Sequence, residues 1–390
     1  MKKLNPFVMN GLSFFVYLKE LLTPMKARIL FLFFFLPFLV SAQDKKPLRL
    51  GVIGLTHTHV HMVFSSEKRG DFEIVGIVEQ NKEVIAKYAK WYGFSSDIVY
   101  HSMEELIAAQ KPEAVAAFNK ISEHREVVEK AAPHGIHVMV EKPLAVNLKE
   151  ARKMEILAKK HGIHLLTNYE TTWYPTNAGA YGMVKEGTIG DIRKVVVRDG
   201  HRGPKKIGID REFLDWLIDP RYNGGGASTD FGCYGANLMT WLMNGQKPRS
   251  VLASFQQLQS ENNPEADDDA TIILTYDQAN AVIQPSWNWP IGRKDMEIYG
   301  LTGAIYADNK YDLRLRMAKG YDGFEETRQK LPEREKPYDD PFSLLKAVIR
   351  KEITLPPYDL SSLENNMLVV EILDAARKSA QKGKAVTLKP

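Results

Sequence analysis

The 390-residue sequence has a single cysteine, Cys233, and no excess charge outside its first segment. One cysteine excludes an intramolecular disulfide and a cysteine-based metal cluster. The first 42 residues hold five of the 52 basic residues and one of the 48 acidic residues, so 47 of each sign remain in the rest of the chain. This balance excludes the basic surface that nucleic acid requires. With 44% hydrophobic residues, the composition is that of a globular protein without a nucleic-acid partner.

The N-terminal segment also lacks an apolar run long enough to cross a membrane. Lys26 and Arg28 precede 12 mostly apolar residues, 29–40, and Ala42 follows a serine. A Sec-type signal peptide typically has a short basic region, a short apolar core and small residues before the cleavage site. We therefore predict a signal peptide over residues 1–42.

The predicted leader implies export. Cleavage after Ala42 would release the protein, free of the membrane, into the periplasm or another exported location, and Met25 would serve as the true start of a leader of ordinary length. The alternative is a membrane anchor, because residues 14–22 form a second partly apolar stretch. A chain exported by this route crosses the membrane unfolded and cannot carry a cofactor with it.

Residues 48–167 alternate short apolar runs with segments of helical periodicity. This alternation predicts βαβ units and a doubly wound parallel sheet, hence an α/β Rossmann domain over residues 43–170. The predicted strands are Leu48–Gly54, Phe72–Val78, Ala114–Phe118, Ile136–Val140 and Ile163–Thr167, and the predicted helices are Lys82–Trp91, Glu123–Ala132 and Leu148–His161.

The pattern changes after Asn168, where glycine and aromatic residues become frequent. Three later segments alternate apolar and polar residues with period two, which is typical of antiparallel strands with one covered face. We predict a separate C-terminal α+β domain over residues 171–390. Its alternating segments are Lys194–Arg198, Ser250–Phe255 and Ala270–Tyr276, and its last amphipathic helix is Ser362–Gln381.

The turn after the first strand has only the first glycine of the dinucleotide pattern G-x-G-x-x-G. Gly54 is in place, but Thr56 and His59 occupy the other two glycine positions. Glu79 ends the second strand, 25 residues after Gly54, where an acid binds both ribose hydroxyls and disfavours a 2′-phosphate. We therefore predict binding of NAD rather than NADP. The alternative is a Rossmann-like fold that binds no nucleotide.

Three histidines, His57, His59 and His61, alternate in and just after this turn. A zinc site needs three or four converging ligands. At the start of a helix the three side chains diverge, and no acidic residue stands beside them in the sequence. We predict no metal site, and we expect His57 and His59 to lie near the cofactor phosphate or the mouth of the substrate site.

The sequence Glu141-Lys142-Pro143 stands at the end of the fourth predicted strand. Ligands and catalytic groups of open α/β sheets gather at these strand ends. A buried lysine near a cationic nicotinamide would have its pKa lowered toward neutrality and could move protons. The alternative is a surface lysine paired with its neighbour.

The order of four motifs resembles that of the Gfo/Idh/MocA oxidoreductase family, over about residues 48–390. The motifs are GVIG, the acid Glu79 at the end of the second strand, EKP and GGGASTDFGCYGANL. The resemblance implies a Rossmann domain followed by a domain built on a large open sheet, NAD(P)-dependent chemistry at a sugar or cyclitol carbon, and pairing of subunits through that sheet into a homo-oligomer. It implies that Lys142 is the catalytic lysine. Most relatives have histidine at the position of Tyr234, whereas the glucose–fructose oxidoreductase branch has tyrosine.

Oxidation of a secondary alcohol needs a base for the hydroxyl proton while hydride leaves the carbon. A tyrosine phenol whose pKa is lowered by a nearby ammonium could supply that base, so we predict that Tyr234 and Lys142 relay the proton. Asp230 precedes Tyr234 by four residues, on one face of a predicted helix, and is expected to orient the lysine or a hydroxyl. The alternative for Tyr234 is a tyrosine that packs in the core.

Further contacts follow from position. By the resemblance, Asn119 and His124 follow the third predicted strand near the nicotinamide, and Glu141 anchors the adjacent loop. Aromatic and amide side chains suit a polyol, whose C–H face stacks while its hydroxyls form hydrogen bonds. The alternative for each tryptophan is core packing. The predicted substrate residues are Asn168, Trp173, Tyr174 and Trp287.

These observations predict an exported NAD-dependent oxidoreductase that acts on a sugar, glycoside or polyol hydroxyl. Free NAD is scarce outside the cytoplasm, so we expect a tightly held cofactor that is recycled within the reaction. One alternative is a redox-assisted glycosidase, in which oxidation at one carbon permits elimination of the aglycone. Another is a carbohydrate-binding protein that retains the fold without catalysis.

Overall fold

The computed structural model describes residues 46–389. The predicted signal peptide, residues 1–42, lies outside the described residues. From Pro47 onward the chain forms one compact unit. Within residues 46–389, no helix is both long enough and apolar enough to cross a membrane.

The N-terminal sheet consists of six parallel strands in the order β3-β2-β1-β4-β5-β6. Its centre is the mostly buried strand β1, and the chain leaves it in both directions, as in a doubly wound fold. The five predicted strands are present, and a two-residue strand, β3, was not predicted. The strands are β1 (Leu48–Ile53), β2 (Phe72–Val78), β3 (Val99–Tyr100), β4 (Ala114–Ala117), β5 (His137–Glu141) and β6 (Leu165–Asn168).

The three predicted helices around this sheet begin and end within one residue of their predicted bounds, and two further helices, Val60–Ser66 and Met103–Gln110, were not predicted. The Asn81 side chain accepts from two backbone N–H groups of the first turn of the second helix, and Gly93 in the left-handed region ends it. Asn147 and Gly162 bound the fifth helix in the same way. The helices are α1 (Val60–Ser66), α2 (Lys82–Tyr92), α3 (Met103–Gln110), α4 (His124–Ala131) and α5 (Leu148–His161).

The second sheet has nine strands in the order β14-β13-β12-β11-β7-β10-β9-β8-β15. All neighbours are antiparallel except β7 and β10, which are parallel. The predicted fold class, a Rossmann domain followed by a mostly antiparallel sheet with helices, is confirmed. The strands are β7 (Lys194–Gly200), β8 (Ser250–Gln256), β9 (Asp269–Thr275), β10 (Asn280–Ser286), β11 (Arg293–Tyr299), β12 (Gly303–Ala307), β13 (Asp312–Lys319), β14 (Gly323–Lys330) and β15 (Val386–Thr387).

Helices cover one face of this sheet and form the larger core with it. Val195, Val197 and Ile283 from the sheet pack against Leu238 and Ile372 from two of the helices. The helices after β6 are α6 (Pro175–Lys185), α7 (Pro204–Ile207), α8 (Arg211–Leu217), α9 (Pro220–Asn223), α10 (Ala227–Asp230), α11 (Gly232–Leu242), α12 (Pro341–Ile349) and α13 (Leu363–Lys382). Of these, α12 packs on the parallel sheet instead, through Phe342 and Leu345.

The helix predicted to carry both Asp230 and Tyr234 is in fact two helices. Asp230 is the last residue of α10, Tyr234 lies in the first turn of α11, and Phe231 joins them. Helical spacing alone could not predict this break. The glycine-rich turn before α10 is likewise set by a residue distant in sequence. Asp267 accepts hydrogen bonds from the backbone N–H groups of Gly226 and Ser228, at 3.0 and 2.7 Å.

Candidate active site

Lys142 and Asp230 form a buried ion pair at the carboxyl end of β5. The Lys142 ammonium contacts the Asp230 carboxylate and donates to the Asp230 carbonyl at 3.1 Å. Their side chains are 6% and 5% exposed. The indole N–H of Trp287 donates to the other carboxylate oxygen of Asp230 at 3.0 Å. Trp287, predicted to stack on substrate, is thus fully buried just after β10 and holds Asp230 in place.

The charge state of Lys142 differs from the prediction. Burial works against an ammonium, but the Asp230 carboxylate outweighs this effect and raises the pKa of Lys142 above its ordinary value. Against the same burial, the ammonium lowers the pKa of Asp230. The predicted lowering of the Lys142 pKa is therefore wrong for the protein alone, because the sequence did not show that Asp230 pairs with Lys142.

Tyr234 is buried between two ammonium groups. Its ring centroid lies 5.2 Å from Lys142 Nζ and 5.5 Å from Lys294 Nζ. Its hydroxyl has no hydrogen-bond partner within residues 46–389. Burial, together with the nearby Glu170 carboxylate, raises the pKa of Tyr234 well above its usual range. The predicted lowering of this pKa is wrong, since desolvation exceeds the effect of the two ammonium groups.

A second ion pair, Lys294 with Glu170, was missing from the predicted site. The Tyr174 hydroxyl donates to the same carboxylate at 2.6 Å. Burial opposes ionisation of Glu170, but Lys294, His59 and Tyr174 outweigh it and lower the pKa of Glu170 to about 2. Glu170 follows β6 by two residues, so its position after a strand end was a signal that the sequence did contain.

His201 is a second residue that the sequence analysis missed. It follows β7, packs its ring edge-on against Phe231 at 5.1 Å, and accepts from the backbone N–H of Gly203 at 3.0 Å through Nδ1. Burial lowers the pKa of His201, so its imidazole is neutral near pH 7. With Lys294 and Tyr174, His201 lines a cleft of about 500 Å³ that is large enough for a sugar.

Glu141 lies at the centre of a buried hydrogen-bond network. Asn168 donates to one of its carboxylate oxygens at 2.7 Å, and the other lies 2.8 Å from Nδ1 of His59. The Trp173 indole donates to Asn168 at 3.0 Å. The structure therefore places Asn168 and Trp173, predicted to bind substrate, behind Glu141.

His57 adjoins this network, with its ring 4.6 Å from those of His59 and Phe213. His57, His59 and Glu141 each present one ligand atom within 4.8 Å of the others. The expectation that the histidines lack an acidic partner is therefore wrong, because the fold brings Glu141 to them from 82 residues away.

A second cleft, of about 380 Å³, lies over the first βα turn. Gly54 has φ +79°, and a Cβ at this position would lie 2.8 Å from the Cβ of Asn119. Only glycine allows this approach. Gly54, Thr56, Glu79 and Asn119 line the cleft, so the fold brings these four predicted cofactor residues together.

The polar groups around this cleft fit a dinucleotide. The Glu79 carboxylate accepts from the backbone N–H groups of Leu55 and Asn81, at 3.0 and 2.9 Å, which holds it at the end of β2. Buried Oδ1 of Asn119 and Nε2 of His124 have no hydrogen-bond partner within residues 46–389. Asn119 lines the cleft, so a bound ligand can satisfy its Oδ1, whereas buried His124 does not line it. Gly54, Glu79 and Asn119 therefore fit the adenosine and pyrophosphate parts of NAD.

Two family models match the chain. Residues 48–169 match an oxidoreductase family with an NAD-binding Rossmann fold, and residues 179–306 match the GFO/IDH/MocA C-terminal domain. Together the matches cover more than half of the chain. The chain belongs to the Gfo/Idh/MocA family. The resemblance seen in the sequence motifs, and the expected oxidoreductase family with its NAD-binding fold, are confirmed.

Relatives of this Gfo/Idh/MocA protein are distant. It is 25% identical to trans-1,2-dihydrobenzene-1,2-diol dehydrogenase of Macaca fuscata fuscata over 231 residues, 59% of this chain and 65% of that protein. It is 24% identical to 1,5-anhydro-D-fructose reductase of Ensifer adhaerens over 263 residues, 67% of this chain and 76% of that protein. The chain thus matches slightly less than two thirds of the macaque protein.

A solved structure shares the fold of this Gfo/Idh/MocA chain. The aldose–aldose oxidoreductase from Caulobacter crescentus, complexed with glycerol, aligns with a TM-score of 0.73 and 21% identity, over 88% of this chain and 100% of that chain. At this identity the similarity shows the fold alone.

Proposed function

We propose that the protein is an NAD-dependent oxidoreductase that acts on a hydroxyl-bearing carbon of a sugar, glycoside or polyol. The observation that carries the proposal is the buried Lys142–Asp230 pair beside the unpartnered Tyr234 hydroxyl, at the carboxyl edge of a sheet whose first turn fits a dinucleotide. The names of the macaque dehydrogenase and the Ensifer reductase support this reaction class.

The side chains of the site are suited to hold a substrate oxygen as it gains negative charge. When bound, the nicotinamide supplies a hydride acceptor. In this proposal, the Lys142 ammonium and the protonated Tyr234 phenol both donate hydrogen bonds to the same substrate oxygen. Donors fixed in advance stabilise a developing alkoxide more than mobile water does. Asp230 keeps Lys142 charged and oriented. Tyr174 and Lys294 line the substrate cleft, and Glu170 holds both of them.

We further propose NAD rather than NADP as the cofactor. Glu79 lines the dinucleotide cleft at the end of β2, where its carboxylate would accept from ribose hydroxyls and repel a 2′-phosphate. The signal peptide proposed for residues 1–42 would place the protein outside the cytoplasm. We therefore propose that the cofactor stays bound through each turnover, because an exported enzyme has little free NAD to draw on.

Turnover with defined substrates tests the proposed function. The chain from Gln43 onward, loaded with NAD, is mixed with D-glucose, methyl β-D-glucopyranoside and myo-inositol. Reduction of the bound cofactor is followed at 340 nm, and products are identified by NMR. We expect a ketone or lactone product from at least one compound. The rate of product formation should be at least 100-fold lower in Lys142→Ala. Lys149→Ala, an exposed lysine on α5, is the control and should retain wild-type turnover. Equal turnover in Lys142→Ala would contradict the proposal, and release of methanol would instead indicate glycoside cleavage.

A further inference from the structure

Hydrogen bonds fix the position of the ring proton in two histidines of the site. Nδ1 of His57 accepts from the backbone N–H of His59 at 3.1 Å, and Nδ1 of His201 accepts from that of Gly203 at 3.0 Å. A neutral imidazole that accepts at Nδ1 carries its proton on Nε2. Burial lowers the pKa of His57 well below its usual range and also lowers that of His201, so both are neutral near pH 7. Their free nitrogens are therefore donors.

His59 instead carries a ring proton on Nδ1. The hydrogen bond donated by Trp173 leads to this assignment. An indole N–H can only donate, so the Asn168 atom 3.0 Å from it is the amide oxygen. The Asn168 amide nitrogen then donates to Glu141 at 2.7 Å. Since a carboxylate only accepts, the contact of 2.8 Å between Glu141 and His59 Nδ1 requires the proton on Nδ1. In the neutral imidazole, Nε2 of His59 then carries the lone pair.

The hydrogen-bond network is buried at its Trp173 end and partly exposed at its His59 end. Glu141, Asn168 and Trp173 are buried, whereas the His59 side chain is 22% exposed. Nε2 of His59 has no hydrogen-bond partner within residues 46–389. His59 also lies close enough to Glu170 to influence its charge, and the partner of Glu170, Lys294, packs over the Tyr234 ring. His59 therefore neighbours Glu170, and Lys294, the ion-pair partner of Glu170, lines the substrate cleft.

Other groups of the site are already occupied by protons or donors. Both carboxylate oxygens of Asp230 accept hydrogen bonds, and so do both of Glu170. Lys142 is an ammonium. Asp199 has an unpartnered buried oxygen, and burial raises its pKa well above the usual range, which favours the neutral carboxyl. Among these groups, His59 combines a carboxylate partner, Glu141, with a ring nitrogen that has no hydrogen-bond partner within residues 46–389.

We propose that His59 is the general base that removes the substrate hydroxyl proton, and that Glu141, Asn168 and Trp173 are its positioning residues. This inference rests on the proposed function. In the step, the O–H bond breaks and its proton passes to Nε2. The oxygen electron pair forms the C=O bond while the C–H pair leaves as hydride for the nicotinamide, so the substrate loses two electrons and the cofactor gains them. Glu141 stabilises the imidazolium that forms.

A metal ion is the competing occupant of the same three residues. The ligand atoms of His57, His59 and Glu141 are close enough together for a cation. However, Nδ1 of His57 and both oxygens of Glu141 already accept hydrogen bonds. A cation would have to displace these donors, so the hydrogen-bond directions favour a carboxylate–histidine pair.

Kinetics of a matched pair of variants test the role of His59. With the substrate found in the turnover assay, His59→Gln should lower kcat about 100-fold or more while KM changes only a few-fold. Added imidazole should restore part of kcat in His59→Ala. The control is His61→Gln, two residues away in α1. The His61 ring instead contacts Tyr92, and the kcat of this variant should remain that of the wild type. A His59→Gln variant with at least half of the wild-type kcat would overturn the inference and leave the proposed function standing.

Nitrogen-15 NMR of histidine-labelled protein provides a readout that does not depend on activity. We expect the signals that disappear in His59→Gln to be those of an imidazole with its proton on Nδ1. Glu141→Gln should change this tautomer and lower kcat, whereas a merely structural Glu141 would leave the tautomer unchanged. A proton on Nε2 of His59 in the wild type would overturn the inference. So would one equivalent of transition metal in the purified protein that is lost in His59→Gln.

Discussion

At the scale of single residues, the protonation states of the site are set by partners distant in sequence. The EKP motif identified Lys142, and the glycine-rich segment identified Asp230 and Tyr234, but their spacing carried no information about pairing. Lys142 meets Asp230 from 88 residues away, and Glu170 meets Lys294 from 124 residues away. Each contact favours the charged form of a side chain against the effect of burial.

The Lys142–Asp230 pair predicts an asymmetric response of stability. Asp230→Leu leaves the buried Lys142 unpaired and should lower the free energy of unfolding by about 3–5 kcal/mol. The double variant Lys142→Met/Asp230→Leu removes both charges and should recover most of that loss, although it should remain inactive. Urea denaturation monitored by tryptophan fluorescence measures both changes. A double variant no more stable than Asp230→Leu would contradict the compensated pair.

Buried His124 predicts a dependence of stability on pH. Burial lowers the pKa of His124 to about 4, below its unfolded value of about 6.5. Between these values the unfolded chain binds a proton that the folded chain does not, so stability falls as pH decreases from about 6.5 to 4. In this pH window, we expect His124→Gln to reduce the slope of the unfolding free energy against pH. The reduction should correspond to the uptake of about one proton on unfolding. An unchanged slope in urea titrations at pH 5 and 6 would contradict the assignment.

At the scale of elements, regular periodicity predicted well and irregular junctions did not. Helix α5 begins at Leu148 and ends at His161 as predicted, because an asparagine cap and a terminal glycine bound its apolar face. Strand β14 was not predicted, since Gly323–Lys330 is almost entirely exposed and has no apolar alternation. The glycine turn before α10 depends on Asp267, which lies far along the chain.

The glycine turn before α10 can be tested at Gly226. A Cβ at this position would overlap the backbone carbonyl of Asp267, and backbone cannot move aside cheaply. Gly226→Ala should lower the free energy of unfolding by about 1–3 kcal/mol and reduce turnover, because Asp230 lies four residues away. The matched control is Gly182→Ala in α6, where nothing lies within 4 Å and helix propensity should add up to about 1 kcal/mol. Equal stability of the two variants would contradict this account of the turn.

At the scale of the whole molecule, the candidate site needs both sheets. Lys142, Glu141 and the first βα turn come from the parallel sheet, whereas Asp230, Tyr234 and Lys294 come from the part built on the mixed sheet. Motif order predicted the family and most of these residues. His201 and the contact between His59 and Glu141 could not be predicted, because they depend on how the loops pack after folding.

Bound nucleotide is the most direct test of the account, which requires a dinucleotide at the first βα turn. The chain from Gln43 onward is purified without added cofactor and denatured, and the supernatant is assayed for NAD(H) and NADP(H). We predict NAD(H) in near-stoichiometric amount, with little NADP(H) because Glu79 disfavours a 2′-phosphate. The absence of both nucleotides, together with no shift in melting temperature when either is added, would contradict the proposed oxidoreductase.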